Sequence, residues 1–161
     1  MRIMRMLEST QYQPALITRF ELVRQRMSAL LPEARVEHIG SSAIPGAISK
    51  GDLDVCVLVP ASEHHRAVMA LTRHGYVEKS GTLRTDALCM LEWHEPGHKH
   101  AVQVVATGSE FEKMFITFRD SLRQNPDLVA RYNQVKEAAA HLGESAYRSA
   151  KSRFIDEVLI R

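Results

Sequence analysis

Residues 52–59 read Asp-Leu-Asp-Val-Cys-Val-Leu-Val, and no other segment restricts the fold so tightly. A short unbroken run of β-branched and aliphatic residues favours an extended chain, whose side chains alternate between faces. Asp52 and Asp54 then project from one face. Leu53, Val55, Val57 and Val59 share the other and require a core against them. Two carboxylates this close repel, and one is driven towards its protonated form unless a cation sits between them. A hard divalent ion such as Mg2+ (or Mn2+), held by one or two carboxylates and by substrate phosphates, meets that need. On a solvated strand edge the same pair would contribute nothing, so its surroundings decide.

The flanking pattern supplies a fold class. Leu16, Ile17, Phe20, Val23, Met27, Leu30 and Leu31 recur at helical spacing, which predicts an amphipathic helix over 14–31 closed by Pro32. A strand is expected over 35–39, then a small-residue turn, then the strand at 52–59. Ser62 is placed to cap a helix running to about Arg73, with Gly75 as its stop. Strands are expected at 76–79, 87–94 and 99–107, the last two joined by a Glu95-Pro-Gly97 turn. From Ser109 the pattern turns helical. Ser109-Glu-Phe-Glu112 reads as a capping box ahead of a stripe of Phe111, Met114, Phe115, Phe118 and Leu122. Asn125-Pro126 starts a second helix, Gly143 ends it, and Ser145 opens a third to Arg161. The order predicts an α/β (α+β) fold in a single domain over 1–161, with a sheet-bearing core at 1–108 and a helical segment at 109–161.

Composition narrows the function. The 161 residues carry 21 basic and 19 acidic side chains, and 45% are apolar. Residues 1–108 hold 12 basic and 11 acidic groups and residues 109–161 hold 9 and 8, so neither part is a basic tail for a long nucleic acid. No apolar run approaches the ~20 residues of a membrane span, and the first residues lack a secretory apolar stretch. Cys56 and Cys89 each sit in an apolar stretch and read as reduced thiols, so the expected location is the cytoplasm.

Gly40-Ser41-Ser42 lies between two expected strands, about ten residues before the acids. Glycine permits close backbone approach to a ligand, and consecutive amides with two hydroxyls can cradle a phosphate. A cradle followed by a strand bearing two metal acids is what phosphoryl transfer requires.

His38-Ile-Gly-Ser-Ser-Ala-Ile-Pro-Gly46, Lys50 and the Asp54 strand together resemble the GrpB family, within the DNA polymerase beta-like nucleotidyltransferase superfamily. Tyr12-x-Pro14, Phe118-Arg-Asp-Ser-Leu-Arg123, Asn125-Pro126, Tyr132, Lys136, Tyr147, Lys151 and Phe154 extend the resemblance along nearly the whole chain. The resemblance implies a nucleotidyltransferase fold, a small mixed sheet backed by helices, with the Gly-Ser turn and acids at one end. It also implies transfer of a nucleotidyl group from a nucleoside triphosphate to an acceptor of unknown identity, a protein or a small molecule. Its alternative is a non-catalytic nucleotide-binding or folding-accessory module. Two departures bear on that choice. Many family members have a hydrophobic residue at the position matching Asp52 and a second acid nearer position 56; here position 56 is cysteine, and the acid pair stands at Asp52 and Asp54. The strand expected to supply a third carboxylate reads His100-Ala-Val-Gln-Val-Val105, leaving Gln103, or Glu92 on the preceding strand, as the possible third metal ligand.

Arg119 and Arg123, Tyr132 and Lys136, and Tyr147 and Lys151 are each four apart, so each pair shares a helix face. Arg119, Lys136, Tyr147 and Lys151 are therefore expected around the phosphates, together with His38, Gly40, Ser41, Ser42 and Lys50. His94, His98 and His100, with Cys89 nearby, suggest a zinc hairpin as a more distant reading, although their spacing matches no standard ligand set.

Overall fold

In the computed structural model, which describes residues 4–160, five strands form one mixed sheet in the order β1-β2-β5-β4-β3. Helix α1 (Ser9–Leu30) precedes β1 (Arg35–Ile39), and β2 (Asp54–Val59) lies antiparallel to it. Helix α2 (His64–His74) leads to β3 (Val77–Glu78), β4 (Leu88–Trp93) and β5 (His100–Ala106). β5 runs parallel to β2 and antiparallel to β4, so β2 and β5 form the centre of the sheet.

The alternation expected of residues 52–59 decides what covers each face. Val55, Val57 and Val59 pack with Val102 and Val104 against α1 and α2, through Leu16, Val23, Met27, Val68 and Leu71. Cys56 and Leu58 face the other way with Ile39, Leu88 and Val105, under Phe111, Phe115 and Ile116 of the C-terminal helices. Both faces of β2 are thus buried beyond Asp54, and only the Asp54 end opens.

Several boundaries differ from expectation. The first helix starts at Ser9 rather than Pro14; Gln11 Oε1 accepts from the Glu8 N–H at 2.8 Å and closes the first turn ahead of the proline. β2 begins at Asp54, so Asp52 precedes the strand it was expected to join. Ser62 falls in a short 3-10 turn (Ala61–Glu63), and α2 begins after it. Gly75 ends α2 as expected, its N–H donating to Leu71 O and Thr72 O. Ser109 caps as expected, with Oγ accepting from the Glu112 N–H, while Glu112 reaches back to the Gly108 N–H instead of the cap's own.

The Phe111–Leu122 stripe is not one regular helix. A single turn, α3 (Glu110–Glu112), passes through a π segment (Lys113–Thr117) into α4 (Phe118–Arg123). A π turn shifts the side-chain register, and here it divides the stripe. Phe111 and Phe115 lie on the sheet, while Phe118 and Leu122 join a second core with α5 (Pro126–Ala139) and α6 (Glu144–Ile160). Tyr132 and Phe154 stack there at 5.1 Å, with Phe118 edge-on to both. Ile44 and Ala47 from the small-residue turn insert into this core, so the helical segment grips the turn directly. The third helix opens one residue before Ser145, and its expected end at Arg161 lies outside the described residues.

Candidate active site

The chain from Gly40 to Asp54 forms a loop whose two ends meet. Gly40 adopts φ 75° and ψ −175°, a conformation open essentially to glycine alone. A Cβ built on Gly40 would lie 2.6 Å from Asp54 Oδ2, so the missing side chain makes room for the carboxylate. Ile39 pairs with Asp54 across the β1–β2 ladder, which fixes this approach.

Asp54 is half-buried and Asp52 exposed, and neither carboxylate has a side-chain partner among the described residues. Burial, reinforced by the Asp52 charge, pushes the Asp54 carboxyl up to about 6 against the pull of Lys151, Lys79 and Lys50. An unpartnered pair of carboxylates in a basic neighbourhood is a suitable oxygen donor set for a hard divalent cation.

A cavity of about 220 Å³ opens on one side of this pair. Gly40, Ser41, Ser49 and Lys50 line it from the loop, and Tyr147 and Lys151 from α6. The Lys50 and Lys151 ammonium groups lie 5.5 and 5.2 Å from the centre of the Tyr147 ring. Burial lowers the Lys151 pKa, with Asp54 opposing that shift, and Lys50, 3.7 Å from Glu144, is the second lysine at this wall.

His38, Ser42, Arg119 and Lys136, expected to touch phosphate, lie behind the loop and hold it. His38 Nε2 bonds Ser42 Oγ at 2.7 Å, and its ring stacks on Phe20. Burial, with Arg123 and Arg119 nearby, depresses the His38 pKa to about 4, so it is neutral near pH 7. The buried Arg119 guanidinium donates to His38 O at 2.9 Å and Glu37 at 3.1 Å, and pairs with Asp120. Lys136 is fully buried, donating to Ser41 Oγ at 2.9 Å and to Ile48 O, with its ammonium 4.2 Å from the centre of the Tyr132 ring. Because Ser41 Oγ accepts from Lys136, the Ser41 hydroxyl proton stays available for the cavity.

Other loop contacts escaped sequence reasoning. Tyr12 donates to Ala47 O at 2.8 Å and Gln13 to Ile44 O at 2.8 Å, both from the part of α1 ahead of Pro14. Asn133 accepts from the Ile48 N–H and donates to Gly46 O, and Arg123 donates to Ala43 O. Asn133 and Lys136 are three apart on α5, so the face that held Lys136 carried the signal.

A third carboxylate is not assembled among the described residues. Asp54, Ala101 and Glu92 are register neighbours on one face, but Glu92 lies two strands from Asp54, 3.4 Å from Lys79 and 3.6 Å from His94. Gln103 pairs with Cys56, one step further along the sheet, and lines the smaller cavity together with Asp52 and Asp54. Among the described residues no three His, Cys, Asp or Glu side chains converge on a metal position. That also removes the zinc hairpin. His100 is turned to Tyr76 at 2.7 Å and to His98 O at 2.8 Å, and Cys89 is buried in the core beneath α1 and α2.

The sheet order and the site at its open end define a nucleotidyltransferase fold. A solved structure of Cid1, described as having RNA terminal uridylyl transferase activity, has a TM-score of 0.52 at 15% identity, over 76% of this chain and 37% of that one. The chain belongs to the GrpB family, whose model, described as GrpB protein, matches residues 7–161. The crystal structure of the conserved protein GrpB from Enterococcus faecalis has a TM-score of 0.75 at 26% identity, over 96% of this chain and 97% of that one. A UPF0157 protein of Vibrio cholerae is 47% identical over 97% of this chain and 82% of its own length. One of Deinococcus radiodurans is 32% identical over 89% and 75%. No helix among the described residues is long and apolar enough to cross a membrane.

Proposed function

We propose that the protein transfers a nucleotidyl group from a nucleoside triphosphate to an acceptor hydroxyl, with Mg2+ or Mn2+ held by Asp52 and Asp54. The observation that carries this reading is the approach of Asp54 to Gly40, which joins an unpartnered acid pair to a phosphate cradle in one site. The cation would offset charge on the α-phosphate and on the departing pyrophosphate. The chain's own groups do the rest. The Ser41 hydroxyl, oriented by Lys136, donates to a phosphate oxygen. Lys50 and Lys151 neutralise the β- and γ-phosphates, and Tyr147 spaces the two lysines. His38, Ser42 and Arg119 hold the turn in shape.

A second reading has a specific observation in its favour. Among the described residues no third carboxylate joins Asp52 and Asp54, which suits a module that binds nucleotide, or assists a partner's folding, without turnover. One experiment separates the two. Each nucleoside triphosphate, labelled at the γ-phosphate, is incubated with the protein, Mg2+ or Mn2+, and candidate acceptors, and pyrophosphate release is measured. The transferase reading expects metal-dependent release that Asp52→Asn and Asp54→Asn abolish. Nucleotide binding without release favours the module. Absence of both binding and release refutes the site.

A further inference from the structure

A second cavity, of about 430 Å³, meets the first at the acids, and Asp52 and Asp54 border both. It opens at the end of the sheet beyond Asp54, where α1, β4 and the start of β5 come together. In nucleotidyl transfer the attacking oxygen and the leaving pyrophosphate lie in line on opposite sides of the α-phosphorus. If the phosphates lie against Gly40, Ser41, Lys50 and Lys151, pyrophosphate leaves into the smaller cavity. The attacking oxygen then has to arrive from the larger one.

The walls of the larger cavity indicate what it would take. Arg19, Lys79 and Lys99 bring three cations to it, and Asp52, Asp54 and Glu92 three anions. Lys79 is matched by Glu92 at 3.4 Å, and Asp52 and Asp54 are committed to the metal. Arg19 and Lys99 have no carboxylate partner among the described residues, and Arg19 is fixed by donating to Lys99 O. Two unmatched cations beside a cavity of small-molecule size select an anionic group. At the inner end Ala101 stands between Asp54 and Glu92 in the ladder. Its methyl group leaves open floor between the two carboxylates, where a larger residue would fill the gap. A hydroxyl resting there has Asp54 on one side and Glu92 on the other.

We propose that the larger cavity receives the acceptor, and that the acceptor is a small hydroxyl compound carrying a phosphate or carboxylate held by Arg19 and Lys99. The proposal rests on the nucleotidyl-transfer reading above. The acceptor O–H bond breaks and its proton passes to the Glu92 carboxylate. The acceptor oxygen forms a bond to the α-phosphorus, and the bond from that phosphorus to the bridging oxygen breaks. Pyrophosphate departs past Ser41 and Lys151. Glu92 is thus assigned to the acceptor and its proton rather than to the metal.

Trp93 is the single tryptophan of the chain and lines the larger cavity, so its fluorescence reports occupancy there. The full-length protein, saturated with Mg2+ and the non-hydrolysable α,β-methylene ATP, is titrated with ribose 5-phosphate, ribose and glucosamine. These are anionic, neutral and cationic probes of similar size. Ribose 5-phosphate is expected to give a saturable change at least about tenfold tighter than the other two, the size of one charge-assisted hydrogen bond. Lys99→Glu, at an exposed position, should abolish that preference while calorimetry still shows the nucleotide analogue bound. Equal responses, a preference for glucosamine, or no response to any probe overturns the proposal. So does competition between the analogue and ribose 5-phosphate, which would make the larger cavity a nucleoside site, and so does a response to a short oligoribonucleotide alone. Loss of nucleotide binding in the calorimeter refutes the transferase reading separately, because the preference among the sugars can be measured without nucleotide.

Discussion

Replacing Gly40 by alanine tests the link between the turn and the acid. Two separate penalties apply. The first is backbone strain at φ 75° and ψ −175°, which costs a non-glycine residue about 1–3 kcal/mol. The second is overlap, because the new Cβ would lie 2.6 Å from Asp54 Oδ2 and 3.1 Å from Asp54 Cβ. Rotating the carboxylate relieves the first contact but not the second, so the turn or β2 must also shift, adding about 1–3 kcal/mol. Gly81 separates the two penalties. Its φ is 76° and a Cβ there would meet nothing within 4 Å, so Gly81→Ala carries strain without overlap. Urea unfolding should show Gly40→Ala destabilised by about 3–5 kcal/mol, and Gly81→Ala by about 1–2 kcal/mol. In an Asp54→Ala background, where the carboxylate is gone, the cost of Gly40→Ala should fall by about 1–2 kcal/mol. Equal costs at Gly40 and Gly81, or no coupling to Asp54, would refute the claim that Gly40 exists to admit the carboxylate.

Other substitutions have expected outcomes of their own. Asp54 holds its proton more tightly folded than unfolded, so its contribution to stability is lost as pH rises from about 4 to about 6. With a discount for its partial exposure, metal-free Asp54→Asn should be about 2 kcal/mol more stable than the parent at pH 7 in chemical denaturation, and equal to it near pH 3. The variant should also expose the opposite trend from His38, whose depressed pKa loses stability as pH falls from 6.5 to about 4. Lys136 has its ammonium pKa lowered to about 7, so the protein gains stability as pH rises from 7 towards 10.5; Lys136→Met should flatten that rise in denaturant midpoints. Arg119→Met, which strands the His38 carbonyl and leaves Glu37 with Arg35 alone, should cost about 2–4 kcal/mol in urea unfolding. Arg119→Lys should recover less than half of that loss, since one ammonium cannot serve all three partners.

The elements were legible where periodicity carried them. The alternation in residues 52–59 placed Val55, Val57 and Val59 in the core, and the sheet formed around that strand with Asp54 at its open end. Legibility ended where a residue's role depends on a partner distant in sequence. The four-residue spacing put Lys136 and Lys151 on inward faces, but only the packing of α5 behind the turn separates a lysine that braces Ser41 from one that faces the cavity. Gln13 was hidden by Pro14, which reads as a helix start although the helix begins at Ser9, and Tyr12 entered only through the Tyr12-x-Pro14 resemblance, without its contact to the loop. The π segment left no trace in the stripe of Phe111, Met114, Phe115 and Phe118, because a shifted register still reads as apolar spacing. Glu92 was noticed as an acid near the site, but the ladder through Ala101 was needed to separate it from the metal pair.

On the proposed reading Asp52 and Asp54 hold a metal–nucleotide complex against the Gly40-Ser41 turn. Calorimetric titration with α,β-methylene ATP tests it most directly, with and without Mg2+, on the parent chain and on Asp52→Asn and Asp54→Asn. Binding is expected only with the divalent ion, weakened at least about tenfold by each substitution, a loss of about 1.4 kcal/mol or more. Binding that persists without the metal, or that neither substitution changes, would contradict it.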